Sequence, residues 1–239
     1  MRLCFLGTEE RRAYLQSLAS PGTKVEILDY KPKAPHPISI ESMVEEYLYI
    51  PWVLEMCQEA ERRGYDAVIT SCLGDPGIDG ARELLRIPVI APAESAFHVA
   101  CMLGHMFSII TPLDTTRRPA VELVRKAGLQ ERLASVRVLG CTVLEAREGK
   151  EETYRKLYDL SLKCVQEDHG DTIILACASV AHSFGDRLAA ELPAPVINPL
   201  RLSVKVAEML VGAGLRHSKR AYPAPPKPVG VGGLEAARR

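Results

Sequence analysis

Short apolar runs alternate along this chain with longer segments in which apolar residues recur every three or four positions. The runs at residues 2–7, 24–29, 66–70, 88–90, 106–110, 135–139, from Asp171, and at 196–197 have the length and β-propensity of strands. Between them the helical period predicts helices over about 9–18, 39–63, 75–85, 94–103, 115–128, 151–167, 183–192 and 203–211. Pro51 falls inside the second of these and is expected to kink or divide it. Asp75-Pro76 reads as an N-cap followed by a proline at the first helical position, so a helix should begin within a turn of Cys72. Three prolines over 31–37 exclude regular structure there and suggest an exposed loop beside the site.

The pattern also repeats itself. Asp66-Ala-Val-Ile-Thr-Ser-Cys72 is answered 105 residues later by Asp171-Thr-Ile-Ile-Leu-Ala-Cys177. Beyond the cysteines, Arg82 to Ile90 is answered by Arg187 to Ile197, and after an inserted pair the offset of 107 holds through Met102-Leu103 and Met209-Leu210. Alternating strands and helices imply a parallel sheet with right-handed crossovers. The expected fold is therefore α/β, with two pseudo-symmetric lobes, each a four-stranded parallel sheet flanked by helices, and the site in the cleft between them. A closed eight-stranded βα barrel is the alternative. The lobes would span 1–104 and 105–199, with a final helix at 200–214 packing back on the first and a flexible Pro/Gly/basic tail over 215–239.

Thirty basic residues balance thirty acidic ones, which gives no reason to expect a nucleic-acid or membrane partner and points to a small molecule. No apolar run approaches a membrane span and no leader pattern opens the chain, so a cytoplasmic protein is expected. Seven scattered cysteines are an odd number without C-x-x-C spacing, and they read as thiols rather than a disulfide framework or a zinc site.

Cys4, Cys57, Cys101, Cys141 and Cys164 fall in or beside strands and helices and are expected to be packing residues. Cys72 and Cys177 instead end duplicated strands, at the carboxyl edge where ligands bind in parallel sheets. If the halves are related by a pseudo-two-fold axis, the two thiols can face each other across a bound molecule. That geometry suits removal of a proton from one face of a carbon and its return to the other. Such chemistry needs one thiolate and one thiol together, and a helix N-terminus near a cysteine lowers its pKa. Expected substrate contacts are Ser71, Leu73 and Gly74 in the first loop and Ala178 and Ser179 in the second, and the backbone N–H groups of Gly74, Asp75, Gly77, Ala178 and Ser179 could hold a carboxylate or developing enolate. Glu94, Ser95 and His98 could touch ligand too, although a glutamate in a first helical turn is also simply favourable with the helix dipole. His98 with His105, and His182 five residues after Cys177, are weaker candidates, and no dinucleotide or phosphate-loop glycine pattern occurs.

Cys72-Leu-Gly-Asp-Pro-Gly-Ile-Asp79 after Gly64-Tyr-Asp-Ala-Val-Ile69, the earlier Ser39-Ile-Glu-Ser42, and Pro88-Val-Ile-Ala-Pro-Ala-Glu-Ser-Ala96 together resemble hydantoin racemases of the aspartate/glutamate racemase superfamily over roughly residues 1–212. The resemblance implies a two-lobed fold, racemisation by Cys72 and Cys177 without cofactor or metal, and a homo-oligomer. Three stretches differ from the usual pattern. Ala176-Cys-Ala-Ser-Val180 stands where such proteins commonly read Gly-Cys-Ala-Gly-Met, Gly7-Thr8-Glu9 replaces an Asn-Pro loop, and Ala91-Pro-Ala-Glu94 replaces Gly-Ile-Gly-Glu. The activity so implied is racemisation or epimerisation next to a carbonyl, on a 5-substituted hydantoin or related cyclic ureide or amino-acid derivative. A single-cysteine decarboxylase or cis–trans isomerase on the same fold, and a non-catalytic small-molecule binding protein, are the alternatives.

Overall fold

The computed structural model describes residues 1–31, 35–227 and 229. The first half runs β1 (Arg2–Phe5), α1 (Arg12–Leu18), β2 (Lys24–Ile27), α2 (Met43–Arg62), β3 (Ala67–Ile69), α3 (Ile78–Leu84), β4 (Val89–Ile90) and α4 (Pro92–Leu103). The second runs β5 (Phe107–Thr111), α5 (Arg117–Lys126), β6 (Leu133–Val138), α6 (Val143–Arg147), α7 (Glu151–Gln166), β7 (Thr172–Leu175), α8 (Ala178–Glu191), β8 (Val196–Ile197) and α9 (Pro199–Gly212). Among the described residues the strands form two four-stranded sheets, ordered β2-β1-β3-β4 and β6-β5-β7-β8, rather than a closed barrel. All pairings are parallel, and the registers match: Val68 pairs with Val89 as Ile173 pairs with Val196. The central strands are buried on both faces, which is why their sequences are nearly continuous apolar runs rather than alternating ones.

The halves do not keep separate cores. Leu3, Phe5 and Ile69 of the first sheet share one apolar cluster with Ile109, Ile173 and Leu175 of the second, joined through Phe97 of α4 and Val204 of α9. A smaller cluster under α2 holds Val53, Met56, Val68 and Val89 on the other face of the first sheet. Each fully buried leucine or isoleucine contributes about 2 kcal/mol. The final helix α9 lies against α1, β3, β4 and α4, and also touches α8.

Several boundaries differ from the sequence expectation. Pro51 does not divide α2, which runs unbroken from its Ser42 cap, where the serine hydroxyl accepts from the Glu45 amide at 3.3 Å. The helix after Cys72 starts at Ile78 rather than at Asp75, because Asp75 and Gly77 both take left-handed backbone, at φ 48° and 72°. The short α6 escaped the periodicity, yet it carries a complete capping box between Thr142 and Glu145. α8 begins directly after Cys177, which leaves Ser183 inside it. α9 begins at Pro199, capped by the Asn198 side chain, and the Ser203 hydroxyl donates back to the Pro199 carbonyl at 2.7 Å instead of capping.

The expectation of a loose tail fails over 217–222. His217 Nε2 accepts from the Val89 amide at 2.8 Å, on the side of edge strand β4 that no strand covers. Lys219 Nζ donates to the carbonyls of Arg82 and Leu85 at 2.6 Å, satisfying the end of α3. Tyr222 accepts from Arg82 at 3.1 Å. These partners are backbone and side-chain groups that composition does not reveal. Residues 228 and 230–239 of the expected tail lie outside the described residues. No described helix is long and apolar enough to cross a membrane.

Candidate active site

In each sheet the chain leaves the first strand toward one edge and crosses to the other side for the third, which opens a crevice at their carboxyl ends. The loops after β1, β3, β5 and β7 therefore converge, and together with the first turns of α2 they enclose a cavity of about 730 Å³, a size suited to a small ligand. Cys72 and Cys177 line it from the ends of equivalent strands, as do Ser71, Leu73, Gly74, Ala178 and Ser179. Glu94 does not line it. Its carboxylate pairs with Arg82 at 2.5 Å, drawn there by a buried guanidinium. Residues 32–34 of the proline loop lie outside the described residues, but Pro35, His36 and Pro37 border the cavity.

The half-buried Cys72 sits in a loop rather than at a helix N-terminus. One amide, Gly74 N–H, donates to its sulfur at 3.3 Å. Burial pushes this thiol up to about 12, the Gly74 amide opposes that, and the carboxyl groups of Glu46 and Asp75 reinforce it, as does charge on Cys177. A Cβ at Gly74 would come within 2.5 Å of Glu46 Oε2, so any larger residue there would displace the Glu46 carboxyl group. The Glu46 carboxyl is itself pushed up by burial. Asp75 caps α4 from a distance in sequence, accepting from the Ala93 and Glu94 amides at 3.1 and 2.9 Å. Its buried carboxyl is nonetheless raised to about 7.

Cys177 has opposite neighbours. It is the N-cap residue of the 14-residue α8, with extended backbone, which sets its sulfur beside the first-turn amides of Ser179 and Val180, whose polarity favours the thiolate. Burial still raises its pKa, but those amides and the cations of Arg11 and Arg147 pull the other way. Both guanidiniums donate to Ser179 Oγ, Arg11 at 3.0 Å and Arg147 at 3.4 Å. Carboxyl groups thus disfavour a thiolate at Cys72, whereas cations favour one at Cys177.

The wall toward α2 is aromatic: the rings of Tyr49 and Trp52 stack with centroids 4.7 Å apart, and His36 tilts against Trp52 at 5.0 Å. His98, His105 and His182 are exposed, and His182 meets the edge of Tyr14 instead of Cys177. Among the described residues no group of three or more His, Cys, Asp or Glu is arranged to hold a metal ion. Arg11, Arg147, Glu46, Tyr49 and Trp52 were not legible as site residues. Each sits in a run that reads as a charged surface turn or an amphipathic helix.

Comparison with known proteins places the chain in a family. The profile of the family described as Asp/Glu/Hydantoin racemase matches residues 8–207. The chain is 38% identical to a hydantoin racemase of Pseudomonas sp. (strain NS671) over 200 residues, covering 83% of this chain and 80% of that one. It is 33% identical to a hydantoin racemase of Paenarthrobacter aurescens, covering 92% and 94%. The solved allantoin racemase of Klebsiella pneumoniae superposes with a TM-score of 0.88 at 29% identity over 98% of both chains. By sequence over most of its length and by fold, the chain belongs to the Asp/Glu/hydantoin racemase family, and the enzyme class that goes with it is isomerase.

Proposed function

We propose that this racemase works without a cofactor, inverting the carbon next to a carbonyl in a 5-substituted hydantoin or related cyclic ureide, with Cys72 and Cys177 as its two acid–base groups. The observation that carries the reading is the position of both sulfurs on one cavity, each at the end of the equivalent strand of its sheet. Cys177 acts as the thiolate and Cys72 as the thiol in this direction, the assignment their neighbours favour, since cations stand beside Cys177 and carboxyl groups beside Cys72. The thiolate takes the proton from C5 on its own face, and the C–H electron pair moves onto the adjacent carbonyl as an enolate. Cys72 then gives its S–H proton to the opposite face as the pair returns to C5. The turnover leaves Cys177 as thiol and Cys72 as thiolate. Substrates of this kind are also what the hydantoin and allantoin racemases named above are called after.

Single Cys72→Ser and Cys177→Ser variants test the reading. Racemisation should fall by at least about 100-fold in each, the scale of a lost general acid or base. In deuterated water each variant should still exchange the C5 hydrogen of one enantiomer, and a different enantiomer for each variant. Undiminished racemisation by either variant would rule the scheme out.

A further inference from the structure

Arg11 is 7% exposed, and among the described residues neither it nor Arg147 has an acidic partner within salt-bridge distance. An arginine buried to this degree is ordinarily paired. Both side chains line the cavity, Arg147 from the exposed end of α6 and Arg11 from the turn before α1, and Ser179 Oγ accepts from both. A serine hydroxyl carries no charge, so it orients two guanidiniums without neutralising them. Even when Cys177 is ionised, its thiolate offsets only one positive charge at this end of the cavity, and the other remains. The carboxyl group of Glu46 lies beside Gly74 and Cys72, at the other thiol, and is not hydrogen-bonded to either arginine.

We infer that Arg11 and Arg147, held by Ser179, form a clamp for a carboxylate on the substrate, so that this enzyme prefers anionic substrates over neutral ones. The inference rests on the racemase reading above and names its substrate class. Arginine is suited to the task because its planar fork binds a carboxylate through two parallel N–H donors. The carboxylate can be a ring substituent, as in hydantoin-5-acetate, or the α-carboxylate of a ring-opened N-carbamoyl amino acid. The aromatic wall of Tyr49 and Trp52 stands on α2, apart from the elements that carry the clamp, and accommodates the flat, uncharged part of either molecule.

Two measurements on the full chain separate the outcomes. Calorimetric binding to the Cys72→Ser protein, which keeps Cys177 beside the arginines and does not complete racemisation, compares hydantoin-5-acetate, its neutral isostere hydantoin-5-acetamide, and N-carbamoyl-alanine. The expected result is about tenfold or tighter binding of one carboxylate over the amide, the scale of a charge-assisted hydrogen bond, with Arg147→Met and Arg11→Met each abolishing the preference. Whichever carboxylate gains identifies its source. Arg147 is exposed at the cavity mouth, so its variant keeps the test open should Arg11→Met fail to fold. Equal binding of amide and carboxylate, no binding of any of the three, or arginine variants that weaken all ligands alike, overturns the clamp. Deuterium uptake by wild type on the same compounds reports the racemase reading separately. Uptake without carboxylate preference sinks the clamp alone, and arginine-dependent binding without uptake on any compound sinks the racemase reading alone.

Discussion

Cys72 and Cys177 end equivalent strands in matched registers, yet one faces two carboxyl groups and the other a helix N-terminus and two cations. The rate should therefore rise with pH as Cys177 ionises, and fall again only far into the alkaline range, where Cys72, held up to about 12, loses its proton. Arg147 lowers the Cys177 pKa, so removing its charge raises that value. In Arg147→Met the rising limb of kcat/KM should move to higher pH while the falling limb stays. A profile that does not move would show that the cation has no hold on the thiolate. That both cysteines line the cavity was legible in the sequence because duplication marks position, and position separates them from five thiols of the same type. Arg11 was not, since Glu9-Glu-Arg-Arg12 reads as the charged first turn of the helix expected over 9–18. Its burial is decided by Ser179, 168 residues away.

Helix starts were the least legible elements. Asp75 looks like the cap of the helix that follows it, but its carboxylate spans to the amides of Ala93 and Glu94 and caps α4 instead. Asp75→Ala removes both bonds from the loop that carries Cys72, at a cost of about 1–2 kcal/mol for the lost cap. The urea midpoint should fall accordingly, and kcat/KM with it, because the strand-end loop is no longer tied to α4. The wild-type residue also makes stability depend on pH. Its folded pKa of about 7 lies above the ordinary 3.8, so its contribution is full below 3.8 and is lost as pH rises through 7. Asp75→Asn, which cannot ionise, should flatten that window. α6 could have been found from Thr142-x-x-Glu145, since both halves of that capping box are local. The helices expected over 183–192 and 203–211 begin earlier, at Ala178 and Pro199, so Ser183 and Ser203 lie inside them.

For the whole molecule, the parallel two-sheet plan was legible because strands buried on both faces write themselves as apolar runs. The shared core and the course of residues 217–222 were not, since both depend on contacts between distant segments. His217 must be neutral to accept from Val89, and burial beside Arg82 holds it down to about 4. A folded pKa below the ordinary 6.5 means that its contribution is present above 6.5 and is lost as pH falls through 4. Hydrogen exchange at the Val89 amide and over 215–222 should quicken across that interval, and His217→Ala should show fast exchange at every pH. Exchange that is flat in the wild type would mean that the histidine does not fasten the segment.

The unequal surroundings of the twin cysteines carry one more consequence for the proposed chemistry. Interconversion of mirror images has an equilibrium constant of one, so kcat/KM must be identical in the two directions whatever the protein does. An enzyme that finishes each cycle with its hydrogen on the less comfortable sulfur still has to relax through solvent before it can accept the same enantiomer again. With Glu46 and Asp75 beside one sulfur and two arginines beside the other, that recovery favours one direction, so saturating turnover should be lopsided between enantiomers while the second-order constants coincide.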